Sequence, residues 1–186
     1  NIGGSINATD ADINFGTGTA TLTNNSTIDT NGGALDFGGN ITGAGFDLQL
    51  ISQDDTITVA GDATGLGDVT LQENAAASTG DVVFQGDLTA NDLITFARAY
   101  SVSLLDTATI TAAVTFRNSS SQTITLGNAA ADTFTFIGGV DVTNDAAVSL
   151  AGTINSTGNA IDFGAGGVTQ TDAAIVDSTN GGAAVA

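Results

Sequence analysis

The chain contains no Cys, His, Lys, Pro, Met or Trp, and its only cationic side chains are Arg98 and Arg117. Each absence removes a class of chemistry. Without Cys there are no disulfides and no thiolate redox or metal sites, and without His the usual zinc donors are missing as well. Without Lys no Lys-dependent isopeptide cross-link forms. Two Arg make no basic patch able to neutralise a row of phosphates or to hold an anionic membrane surface, so neither nucleic-acid binding nor membrane docking is expected. No apolar stretch approaches the length of a membrane-spanning helix, and Asn1–Ala20 has neither the basic start nor the apolar core of a secretion signal.

What remains is acidic and small. Nineteen Asp and Glu73 give a net charge of −18, yet only 12% of the residues are charged. The rest is Gly, Ala, Thr, Asn and Ser interleaved with Val, Ile, Leu and Phe. At 41% hydrophobic, with regular apolar spacing, the chain reads as folded rather than disordered. Its residues are poor helix formers and good strand formers.

The strand signal is a short apolar–polar–apolar triplet bounded by Gly, Asn or Asp. Examples are Ile13-Asn-Phe15, Leu35-Asp-Phe37, Ile57-Thr-Val59, Val69-Thr-Leu71, Ile94-Thr-Phe96 and Val102-Ser-Leu104. Val114-Thr-Phe116, Ile124-Thr-Leu126, Phe134-Thr-Phe136, Val140-Asp-Val142, Val148-Ser-Leu150 and Ile161-Asp-Phe163 continue the series. Alternation puts both apolar residues of a triplet on one face. Such pieces are too short to stand alone and need neighbours above and below.

The triplets recur. Ile6 falls against Ile28, Ile13/Phe15 against Leu35/Phe37, and those against Ile57/Val59. Leu104, Leu126 and Val148 suggest another series, and Phe96, Phe116 and Phe136 a third. Thr27–Gly38 is echoed by Thr153–Gly164, about six such intervals later. Offsets of roughly 20–24 residues predict an all-β fold, a parallel β-helix or β-solenoid with right-handed winding and a stack of eight or so turns. At about 4.8 Å per turn that is a rod of roughly 40 Å. The competing fold is an antiparallel β-sandwich, which requires no shared period. Residues 1–186 are expected to form one array. Neither terminus carries a recognisable cap, which points to a segment of a longer repeat protein or to subunits stacking end to end.

Runs such as Ala34-Leu-Asp-Phe-Gly-Gly-Asn-Ile41, Ala147-Val-Ser-Leu-Ala-Gly-Thr-Ile154 and Ile161-Asp-Phe-Gly-Ala-Gly-Gly-Val168 resemble the β-helical shafts of filamentous-haemagglutinin-like exoproteins and autotransporter passenger domains. The resemblance covers essentially the whole chain as a texture rather than as one motif. It implies an extracellular bacterial surface protein serving adhesion, cell–cell contact or fibre assembly. Its expected partners are further copies or adjoining segments of itself and a host or neighbouring cell surface or its glycans.

No catalytic, cofactor or metal residue is assigned, and an enzyme is not expected. Some β-helices bind or cleave polysaccharides, which is the alternative function. Arg98 and Arg117, 19 residues apart, fit neighbouring turns, but pairing with nearby Asp is their ordinary fate. Structural calcium is the one cofactor considered, because stacked carboxylates repel and a hard cation relieves them. Asp10-Ala-Asp12 and Asp54-Asp55 are the densest acidic spots, and Gly43-Ala-Gly-Phe-Asp47 matches part of a calcium-binding repeat once. Outward Thr pairs at Thr56/Thr58, Thr109/Thr111, Thr123/Thr125 and Thr133/Thr135 raise an ice-binding solenoid as a minor alternative, although their spacings of 53, 14 and 10 residues are irregular. Asn7, Asn24, Asn25, Asn40, Asn118 and Asn155 head glycosylation sequons, relevant only in a glycosylating source.

Overall fold

The computed structural model describes residues 1–73 and 78–178. The described chain is a parallel β-solenoid of about eight turns, built from nineteen short strands and no helix. Every strand pairing is parallel. The pairings form three ladders, here called faces A, B and C, which the chain visits in the order C, A, B on each turn.

Face B shows the logic most simply. Ile13, Leu35, Ile57, Val82, Val102, Ile124, Val148 and Val168 lie over one another in successive turns. On face C the inward column is Ala20, Ile41, Ala63, Leu88, Ala108, Phe134, Ile154 and Val176. Face A begins with Ile6, Ile28, Leu50 and Leu71 and ends with Val114, Val140 and Ile161. Apart from Ile6, Ile13, Val168 and Val176 in the terminal turns, these residues are buried. A three-residue strand has too little ladder to hold itself. Stacked, it gains hydrogen bonds on both edges and places its two apolar side chains in a shared core. Aromatic contacts tie the core along the axis and across it. Phe15 stacks on Phe37 one turn away, centroids 4.4 Å apart, and Phe116 of face A meets Phe136 of face C edge-on at 6.5 Å.

Three details of register depart from expectation. Leu93 and Thr95 turn inward while Ile94 and Phe96 lie half-buried on the outer side, so the triplet is displaced by one residue. Phe96, Phe116 and Phe136 therefore form no common column, since Phe116 faces Val142 and Phe136 faces Ile110. Leu104 lies against Leu126 as the series implies, but Leu126 pairs with Leu150, and Val148 with Ile124. Turn length also reaches beyond the expected range, from 20 residues between Leu88 and Ala108 to 26 between Ala108 and Phe134. The extra residues of that longest turn form a loop closed by Asp132, whose Oδ2 accepts the backbone N–H groups of Asn128 and Ala129 at 2.8 and 2.9 Å.

The corners explain the acidic composition. Where the chain bends, the ladder skips, and Asn or Asp side chains supply the missing acceptor for the turn above. Asn25 Oδ1 accepts Asp47 N–H, and Asp47 Oδ1 accepts Asp68 N–H, at the corner between faces C and A. Asn40 Oδ1 accepts Asp62 N–H, and Asp62 Oδ1 accepts Asp87 N–H, at the corner between B and C. Asp12 does the same for Ala34, and Asp81 for Ser101, between A and B. The buried hydroxyls of Thr30, Ser52 and Ser156 donate to the carbonyls of Gly33, Asp55 and Asn159, each closing its corner from inside. These bonds are local turn chemistry repeated at each level.

Candidate interaction surface

With the inner columns devoted to packing, any recognition must use the outer ones. On face A the outer column is chemically mixed and partly self-engaged: Thr27 donates to Gln49 at 2.9 Å, and Gln49 to Glu73. Farther along, Thr115 lies over Asp141 and Asp141 over Asp162. On face B, Asn14, Asp36, Thr58, Val83, Ser103, Thr125, Ser149 and Thr169 alternate without a rule.

Face C is different. Thr21, Thr42 and Thr64 lie over one another, as do Thr89, Thr109 and Thr135. Between Thr64 and Thr89 the ladder shifts by one residue, and Thr89 Oγ1 accepts Gly65 N–H at 3.1 Å. One outer column thus holds Thr in six consecutive turns, followed by Asn155 and Asp177. A second column begins beside it where Thr133 faces Thr153. The hydroxyls of Thr21, Thr42, Thr64 and Thr109 donate no hydrogen bond within the described chain.

The Thr pairs singled out in the sequence divide between faces. Thr58 and Thr125 belong to the mixed outer column of face B, whereas Thr109 and Thr135 belong to the face C column. The column itself is invisible as a spacing, because turns of 20 to 26 residues separate its members. Its signal is instead one Thr directly after an inward residue in each turn: Ala20-Thr, Ile41-Thr, Ala63-Thr, Leu88-Thr, Ala108-Thr, Phe134-Thr.

The acidic spots are engaged in the corners. Asp12 Oδ1 accepts Ala34 N–H at 3.0 Å and Asp55 Oδ1 accepts Thr56 N–H at 2.7 Å. Asp47, the carboxylate of the Gly43–Asp47 stretch, accepts both Asp68 N–H and the Asn25 side-chain amide. Asp10 and Asp54 come together on either side of Gly32, one turn below and one above. Among the described residues no three carboxylates converge as a metal cage. Beside Asp62 and Asp106, Asp87 has its carboxyl held above the usual carboxylate range, by partial burial first and by those two charges second.

The two Arg occupy the A–B corner in adjacent turns. Ser119 N–H donates to Arg98 O, and Arg117 N–H to Thr95 Oγ1. The guanidinium of Arg98 donates to the carbonyl of Ala97 at 3.0 Å. That of Arg117 is exposed beside a shallow depression shared with Asp92, Thr95 and Thr115, and it forms no ion pair with a described carboxylate, contrary to expectation. Of the sequon residues, Asn118 is fully buried and its amide donates to Tyr100 O at 2.6 Å, so it presents no acceptor for a glycan.

By its fold the chain is a parallel β-helix repeat protein. No family model, curated protein or solved structure matches it.

Proposed function

We propose that this chain is a length of rigid shaft in an extracellular bacterial adhesin or fibre, of the filamentous-haemagglutinin or autotransporter-passenger type. The observation that carries this reading is the unbroken face B column, one apolar residue per turn from Ile13 to Val168. A ladder of that kind has its hydrogen bonds along the rod axis and its core inside, so it resists bending and offers proteases few loose loops. Its work is mechanical: it spaces or displays another element away from a surface.

The open edges support the same reading. Among the described residues, strand Val168–Asp177 pairs only with Ala147–Asn155, and Val168 and Ile175 are 51% and 63% exposed. A further rung, from an adjoining segment or a second copy, would cover both residues and complete the ladder. Negative-stain imaging and small-angle scattering test the proposal. Rods that lengthen or associate end to end are expected. Compact particles that never extend or associate, at any concentration or calcium level, would overturn it.

A further inference from the structure

We propose that face C is an ice-binding surface, recognising crystalline water through its Thr column, a role separate from that of the shaft. Three independent observations meet there. The first is repetition. Thr stands at the same outer position in six consecutive turns, although the turns vary from 20 to 26 residues, so the corners absorb the variation while the column stays in line. Turns stack about 4.8 Å apart, which makes a row of hydroxyl-and-methyl groups roughly 24 Å long. Such a row favours a partner that itself repeats.

The second observation is charge. The chain carries a net charge of −18, yet this column is uncharged from Thr21 through Asn155. Carboxylates lie instead at the corners, Asp62 and Asp87 among them, on face A, at Asp36 of face B and at Asp177 where the column ends. An uncharged strip on so acidic a molecule complements a neutral partner and repels no part of it. The third is availability. The hydroxyls of Thr21, Thr42, Thr64 and Thr109 have no partner within the described chain, whereas Thr27 and Gln49 on face A are engaged with one another. Thr is also stiff at χ1, so the row is pre-organised and little rotamer freedom is lost on contact.

Ice fits these three properties together: it is neutral, periodic on the ångström scale, and both donates and accepts hydrogen bonds. A crystalline neutral polysaccharide shares all three, because its hydroxyls also donate and accept. However, sugar rings are commonly held by aromatic platforms, and both aromatic residues of this face in the adjacent turns, Phe134 and Phe136, point inward.

The test uses the 186-residue chain and measures inhibition of ice recrystallisation and partition into a growing ice front. The double variant Thr109→Tyr/Thr135→Tyr puts bulky strand-compatible rings in the row, and Thr125→Tyr puts the same ring on face B as a control. Circular dichroism and melting curves establish that all three chains are folded. The inference predicts activity in the parent chain, retention in T125Y and loss of most of it in the double variant. An inactive folded parent would overturn the inference, as would equal activity in the double variant or binding to crystalline cellulose or chitin without binding to ice. Rod formation in the imaging experiment is independent of all these outcomes.

Discussion

Tyr100 shows what a single side chain does in this structure. Its ring is fully buried, its hydroxyl donates to Leu71 O at 3.3 Å, and the same oxygen accepts Phe96 N–H at 3.1 Å. It thereby supplies hydrogen bonds where the chain leaves and rejoins the ladder. Burial pushes its pKa up from 10.0 to about 12, against the opposing effect of the Phe96 N–H. In the unfolded chain the phenol ionises near pH 10 and in the folded chain near pH 12, so between those values the unfolded state binds fewer protons. Stability then falls as pH rises, by about 2–3 kcal/mol in all. With no Lys or Cys, no other type of side chain titrates in that window, and Tyr100 is the only tyrosine, so its ultraviolet phenolate signal is a clean probe. Urea melts of Tyr100→Phe are expected to lose the alkaline slope, at about 1–2 kcal/mol lower stability at pH 7 from the two unmatched backbone groups. Gln72 has a comparable role nearby. Its Oε1 accepts the N–H groups of Ser52 and Gln53, and its Nε2 donates to Ser52 Oγ and Gly80 O, which holds a non-glycine residue at φ 54°.

At the scale of the strand, most of the architecture was legible because the triplet pattern is nearly uninterrupted. Leu35–Phe37, Ile57–Val59, Val102–Leu104, Val114–Phe116 and Val140–Val142 are strands with the bounds the pattern implies. The pattern misleads at Leu93-Ile94-Thr95-Phe96, where two overlapping alternations compete. Thr95 takes the inward position because its hydroxyl both donates to Thr115 O and accepts Arg117 N–H, which no hydropathy rule registers. The assignment is open to direct test. Leu93→Ala is expected to cost about 2–5 kcal/mol in a denaturant melt, and Phe96→Ser no more than about 1 kcal/mol; similar losses from the two would return Phe96 to the core. The face C column was hidden for a related reason. Corner loops change the count between its members, so strand pairing reveals it and a fixed period does not. Gly152 marks one place where a corner depends on a specific residue. It sits at φ +78° with its absent Cβ position 2.3 Å from Asp132 O, so Gly152→Ala is expected to lower stability by more than about 2 kcal/mol, read as a fall in Tm.

For the molecule as a whole, the dominant unfavourable electrostatic term is self-repulsion. Twenty acidic side chains face two Arg, and the corner columns place carboxylates in successive turns. Raising NaCl from about 0.02 M to 0.2 M shortens the screening length severalfold and is expected to raise Tm. Asp87→Asn keeps the oxygen acceptor and removes one charge from the group it forms with Asp62 and Asp106. Because the folded-state pKa of Asp87 is raised, its ionised form opposes folding. The variant should be more stable than the parent by about 0.5 kcal/mol near neutrality. That advantage should fade as pH falls through the raised pKa and the parent takes up the proton. An advantage that persisted in acid or in high salt would assign the effect to packing instead.

The echo between Thr27–Gly38 and Thr153–Gly164 has a meaning its periodicity conceals. Ile28 lies on face A and Ile154 on face C, so one phrase of sequence turns two different corners. In both, a buried hydroxyl, Thr30 or Ser156, closes the bend on the carbonyl three residues on, and a glycine, Gly32 or Gly158, takes the positive φ. Nothing in the phrase names a face; its place in the count along the chain does that. The interchangeable part of this protein is thus a strand and its bend, a third of a turn. Lineages built from such parts are free to lengthen, shuffle or re-surface the rod by recombination without inventing a new bend each time.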